Sequence, residues 1–164
     1  MDHLWTPWRY QYIENSGRCA ECVFCRALKT EDDSVFILHR GEHCFVILNL
    51  YPYTNGHLMV VANGHIADLD TASAGVLNEL MLLAQQAQRA LTSAYHPDGF
   101  NLGMNLGACA GAGVDGHLHL HVLPRWKGDT NFMSVTSETR VLPETLSQTY
   151  ARLLPFFRAH AGSP

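Results

Sequence analysis

The sequence predicts an α+β domain built on a largely antiparallel, five-stranded sheet, with one long helix and a C-terminal helix. Short apolar and β-branched runs separated by turn residues read as strands, and they both precede and follow a single long stretch of helical periodicity. The chain has 164 residues, of which 47% are hydrophobic and 16% charged. That composition is globular, and the length is sufficient for one domain with its own core.

Residues 1–33 read as an irregular N-terminal extension, broken by Pro7, Gly17 and the polar run 29–33. Residues 35–38 and 44–50 form two strands joined by Arg40-Gly41-Glu42. Turn chemistry at 51–56 leads to a third strand at 57–62. Asp70 to Ser73 offer caps for a helix reaching about residue 95, with Val76, Leu77, Leu80, Met81, Ala84, Ala87 and Leu91 at helical spacing. His96-Pro97-Asp98-Gly99 ends it. Residues 100–105 form a fourth strand, 107–116 a glycine-rich loop and 117–124 a fifth strand. Pro143, near the first turn of a helix carrying Leu146, Tyr150, Leu153, Leu154 and Phe157, opens the C-terminal segment 140–164. We detect no repeat and no linker, so 1–164 reads as a single domain.

The formal net charge of −4 disfavours general binding to nucleic acid or a membrane surface. No apolar run approaches the roughly 20 residues of a membrane helix. Trp5, Pro7, Trp8 and Arg9 stand where a secretory signal would place its apolar core, so a cytoplasmic location is expected. The five cysteines are Cys19, Cys22, Cys25, Cys44 and Cys109. An odd number, three of them within seven residues, does not resemble a disulfide framework. Cys-x-x-Cys is instead a metal-ligand pair, a redox pair or two buried thiols.

The informative segment is His117-Leu118-His119-Leu120-His121-Val122-Leu123. Strand alternation puts the three imidazoles on one face and Leu118, Leu120 and Val122 on the other, against the core. His117 and His121 then stand about 13 Å apart, too far for all three to hold one metal. A division of labour fits better, against the alternative of three half-buried structural histidines. The preceding loop has four glycines and three alanines in ten residues. Its backbone N–H groups can approach an anion, although small residues also simply make tight turns. It lacks the Gly-Lys-Ser/Thr ending of a P-loop.

His-φ-His-φ-His-φ-φ, with φ apolar, resembles the signature of the histidine triad (HIT) family of nucleotide-binding hydrolases and transferases. The resemblance extends to Asn49…Pro52…Gly56-His57, to the strand after it, to the long helix, and to Gly99-Phe100-Asn101 with the small-residue loop. It implies that His119 is the nucleophile that carries the nucleotidyl group. It places His121 and His57 against the α-phosphate, His117 beside the nucleophile with its carbonyl on the His119 Nδ1–H, and Asn49 at a ribose hydroxyl. Asn105, Gly111 and Gly113 fall at the phosphate. In the family's zinc-bearing branch, Cys22 and Cys25 are joined by a histidine after the third strand and by the first triad histidine, here His65 and His117. A structural zinc is therefore implied, with no organic cofactor. Cys19-x-x-Cys22 also has ligand spacing, and the family pattern favours Cys22 and Cys25.

The opening Leu4-Trp5-Thr6-Pro7-Trp8-Arg9 and the segment 124–133 resemble the diadenosine-polyphosphate phosphorylase branch. The resemblance thus implies an enzyme acting on a purine nucleotide or dinucleoside polyphosphate, with phosphate preferred over water as acceptor, and a homodimer. Ala110-Gly111-Ala112-Gly113 departs from the serine or glutamine often found in the loop, and a phosphoramidase is less well matched. Two readings of other classes remain: a non-catalytic nucleotide-binding protein, and a zinc hydrolase with His117 and His119 as ligands. Trp5, Trp8 and Trp126 are open to base stacking, to an interface or to plain core packing.

Overall fold

In the computed structural model, residues 21–129 and 143–158 are described. Cys19, Trp5 and Trp8 lie outside them. The elements are α1 (Val23–Ala27), α2 (Asp32–Val35), β1 (Ile37–Arg40), β2 (Cys44–Leu48), β3 (Leu58–Ala62), α3 (Ala74–Tyr95), β4 (Gly99–Gly103), β5 (His119–Arg125) and α4 (Leu146–Arg158). A five-stranded sheet in the order β1-β2-β3-β5-β4 is antiparallel throughout. The expected α+β class and strand number are both present.

β2 and β3 are buried at every position, which is why they read as apolar runs without alternation. One face of the sheet packs on α3 and α4 through Val46, Leu58, Val60, Leu118, Leu120 and Val122, against Leu80, Ala87, Leu91, Leu153 and Phe157. The other face is covered by Phe24 and Ala27 of α1, which join Ile37, Phe45, Ile47, Met59 and Val61. α3 starts at Ser73, whose hydroxyl accepts from the Val76 N–H, and ends at His96 in the left-handed region.

Three local expectations are corrected. The described part of the N-terminal extension is not irregular, because it contains α1 and α2. The fifth strand starts at His119 rather than 117, and the third at Leu58 rather than His57. Pro143 lies just before α4, near its first turn as expected, but does not open it. The helix is instead opened by a capping box, in which the Thr145 N–H donates to Gln148 Oε1 at 2.9 Å and the Gln148 N–H to Thr145 Oγ1 at 3.3 Å. Pro155 sits inside α4, where periodicity alone would not have put it.

Candidate active site and metal centre

β5 runs between β3 and β4, with His119 opposite Val61 and His121 opposite Met59. Leu118, Leu120 and Val122 enter the main core as the alternation requires. The imidazoles emerge on the α1 face, where all three, together with His57, are buried. The Phe24 ring lies 5.3 Å from the His117 ring and 5.2 Å from that of His119. Phe24 is the site residue that spacing alone left silent. Its signal was its place between Cys22 and Cys25.

Each histidine has a distinct set of partners. His119 Nδ1 is 2.7 Å from the His117 carbonyl oxygen, which can only accept, so Nδ1 carries the proton and Nε2 keeps its lone pair. His117 Nε2 likewise donates to the Ala62 carbonyl at 2.7 Å, turning the Nδ1 lone pair toward Cys22 Sγ at 3.3 Å and Cys25 Sγ at 3.7 Å. At His57 the polarity reverses. The Tyr53 backbone N–H donates to His57 Nδ1 at 3.2 Å, so Nε2 carries the hydrogen and donates to His121 Nδ1 at 2.9 Å. That leaves the His121 hydrogen on Nε2. His57 therefore has both nitrogens engaged within the protein and stands behind His121.

Burial is the main cause that pushes all four imidazoles below the usual histidine range. His57 falls to about 3 and His121 to about 4, with neighbouring histidines adding to each shift. The shifts at His117 and His119 are in the same direction, partly opposed by their carbonyl partners. Near neutral pH the cluster is uncharged, and it works through hydrogen-bond donors and lone pairs rather than through imidazolium cations.

Around the triad, Asn49 accepts from the Tyr51 N–H through Oδ1 at 2.9 Å. Asn105 Nδ2 donates to the Gly111 carbonyl at 3.2 Å and pins the glycine-rich loop. That loop contains a short 3₁₀ turn, Ala108–Ala110, closed by Gly111 at φ 83°. A left-handed residue is required at that position, and glycine supplies it without strain. The Gly111 N–H donates to the Ala108 carbonyl, so it is not a free anion donor. Gly113 follows half-buried in the same loop. Trp126 is half-buried, donates Nε1–H to the Tyr95 carbonyl at 3.4 Å and meets the Tyr95 ring edge-on at 6.5 Å.

The ligand atoms of Cys22, Cys25, His65 and His117 all lie within 4.8 Å of one another. The Leu118 N–H to the Ile66 carbonyl, at 2.6 Å, holds the segment after β3 against β5 and so brings His65 beside His117. Two thiols and two imidazoles are a tetrahedral donor set, whose ligand atoms would stand roughly 3.5 Å apart around one ion. The Cys25 Sγ to His65 Nδ1 distance of 3.4 Å agrees. The cluster fits a metal ion.

Comparison with known proteins gives a consistent picture. The HIT domain family matches residues 29–128. A relative from Mycobacterium tuberculosis named AP-4-A phosphorylase is 36% identical over 157 residues, covering 91% of this chain and 80% of its own. An adenylylsulfatase from Arabidopsis thaliana is 28% identical over 92% of this chain and 75% of its own. Among solved structures, a zinc-bound histidine triad family protein from Mycobacterium smegmatis superposes with a TM-score of 0.70 at 26% identity, covering 88% of this chain and 98% of its own.

Proposed function

This chain belongs to the HIT family, and on that premise we propose that it is an enzyme cleaving dinucleoside polyphosphates, such as diadenosine tetraphosphate, at the α-phosphate through a nucleotidyl intermediate on His119, with inorganic phosphate as acceptor. The observation that carries the reading is the His119 Nδ1–H bond to the His117 carbonyl, which leaves Nε2 as an unprotonated nucleophile on a neutral ring.

In the first step the Nε2 lone pair forms a bond to the α-phosphorus, and the bond from phosphorus to the bridging oxygen breaks. ATP leaves, and adenylyl-His119 remains. In the second step a phosphate oxygen attacks the same phosphorus, the P–N bond breaks, and ADP departs with the imidazole restored. His121, its hydrogen held on Nε2 by His57, donates to the charge that develops on the phosphoryl oxygens. Asn105, Gly111 and Gly113 line the approach to the phosphates, and Asn49 takes a ribose hydroxyl. The phosphorylase and adenylylsulfatase relatives support an adenylyl group as the transferred unit.

Cys22, Cys25, His65 and His117 would hold zinc, the borderline-soft ion suited to a two-thiolate, two-imidazole set. With every position filled by protein, the ion supplies structure and does not activate water.

The deciding experiment incubates the protein with diadenosine tetraphosphate, with and without phosphate. ATP plus ADP, formed only with phosphate, is expected. ATP plus AMP, regardless of phosphate, replaces phosphorolysis by hydrolysis on the same residues. Nucleotide binding with no product and no trapped adenylyl-protein would leave a non-catalytic binder. Chelator-sensitive turnover restored by zinc alone, again with no adenylyl-protein, would favour a zinc hydrolase.

A further inference from the structure

A carboxylate far from the triad in sequence ties three elements together behind His57. Glu144 Oε2 accepts from Asn55 Nδ2 at 3.2 Å, from the Tyr95 hydroxyl at 2.7 Å and from Thr149 Oγ1 at 3.3 Å. Its Oε1 pairs with Arg152 at 2.6 Å, and the carboxylate side chain is only 15% exposed. Arg152 also lies over the Tyr95 ring at 5.5 Å. The carboxyl is held below the usual carboxylate range by these donors, against the opposing effect of burial. Asn55, His57 and Glu144 line one cavity between the 51–56 turn and the start of α4.

The turn is thus gripped from two sides. On the α3 side, Gly56 has φ 75° and sits so close that an added Cβ would stand 2.9 Å from Leu91 Cδ2. On the α4 side, Glu144 holds Asn55. Within the turn, the Tyr53 N–H is the donor that makes His57 Nδ1 an acceptor. We infer that Glu144, acting through Asn55, is a positioning residue that fixes the His57 tautomer and thereby keeps the His121 hydrogen on Nε2. If the turn shifts and the Tyr53 N–H withdraws, the His57 hydrogen can move to Nδ1. His57 Nε2 then accepts from His121 Nδ1–H, and His121 presents a lone pair where a donor is needed. This inference rests on the reading of His121 as a donor, but its first measurement does not.

The test is a pair exchange in the full chain. Asn55→Asp sets a carboxylate against Glu144. Glu144→Gln alone sets an amide donor against Asn55 or Arg152. Together, Glu144→Gln and Asn55→Asp restore the bond with donor and acceptor exchanged, while the amide oxygen introduced at position 144 stays on Arg152. Long-range ¹H–¹⁵N spectra of histidine-labelled protein should show the Nε2–H form of His57 in the wild type, a shift toward Nδ1–H in each single variant, and its return in the double. With diadenosine tetraphosphate, kcat should fall roughly tenfold or more in the single variants, with KM nearly unchanged, and recover in the double. Wild-type tautomers in a folded Asn55→Asp protein would overturn the inference, as would a double variant that melts like wild type yet keeps the altered tautomer. If the wild type lacks turnover, the proposed reaction fails while the tautomer result still decides the role of Glu144.

Discussion

A histidine becomes nucleophile, donor or ligand according to which nitrogen is committed elsewhere, and here the backbone makes that commitment three times. The Ala62 and His117 carbonyls take hydrogens from His117 and His119, and the Tyr53 N–H takes the lone pair of His57. Because His119, alone of the four clustered imidazoles, keeps a lone pair not turned to a cysteine or a histidine, His119→Ala should lower turnover by several orders of magnitude, while nucleotide affinity stays within about tenfold. Appreciable activity in the pure variant would remove His119 as nucleophile. The same burial dictates a pH response. His57 and His121 titrate near 3 and 4 when folded, below the unfolded value of about 6.5. The unfolded chain therefore binds more protons over this interval. Stability from these groups is complete above about pH 6.5 and is lost as pH falls through 4 toward 3. The urea midpoint should drop between pH 7.5 and pH 5, and His57→Gln should flatten the slope. A midpoint that rises on acidification would contradict the neutral cluster.

At the scale of elements, α1 is five residues long yet brings Cys25 to the cluster with His65 and His117 and Phe24 onto His119, with Cys22 at its N-cap. It is too short for helical periodicity to be visible, so the sequence exposed its chemistry through Cys-x-x-Cys and not its conformation. β5 was legible for the opposite reason, since strict alternation of imidazole and aliphatic side chains has a single strand solution. The His65 contribution came by resemblance and depends on a bridge between Ile66 and Leu118 that no spacing encodes. Likewise Glu79 on α3 accepts the N–H groups of Glu42, His43 and Cys44, a long-range cap with no local signal. If α1 is held by zinc, purified protein should carry about one zinc per chain, and Cys22→Ser should lower metal content and melting temperature together. Its loss of activity should be milder than that of His119→Ala. Full zinc content in a Cys22/Cys25 double variant would take the metal away from this cluster.

For the molecule at large, the strand order among the described residues leaves β4 at one edge of the sheet, opposite β1. An open edge is a template for another strand, and soluble proteins cover such edges or disarm them with charge or proline. Residues 99–103 of β4 contain neither charge nor proline. Beside it, Met81 is 56% exposed, Leu82 55% and Leu102 43%, and these three line a single groove between α3 and β4. At the other edge β1 carries Arg40, which donates to Asp32 at 2.7 Å and to the carbonyls of Leu28 and Thr30. The asymmetry singles out one edge for association, and an isologous pairing of β4 with a second β4 would close it symmetrically. We therefore expect a homodimer through β4 and the Met81–Leu82 face of α3, the assembly that the family resemblance also implied. The small net charge does not oppose it. Sedimentation at tens of micromolar, a range that separates stable dimers from weak contacts, should give twice the chain mass. Leu102→Lys together with Met81→Glu should give a monomer with His119 chemistry intact. A wild-type monomer at that concentration, or a dimer indifferent to both substitutions, would place the interface elsewhere or nowhere on this edge.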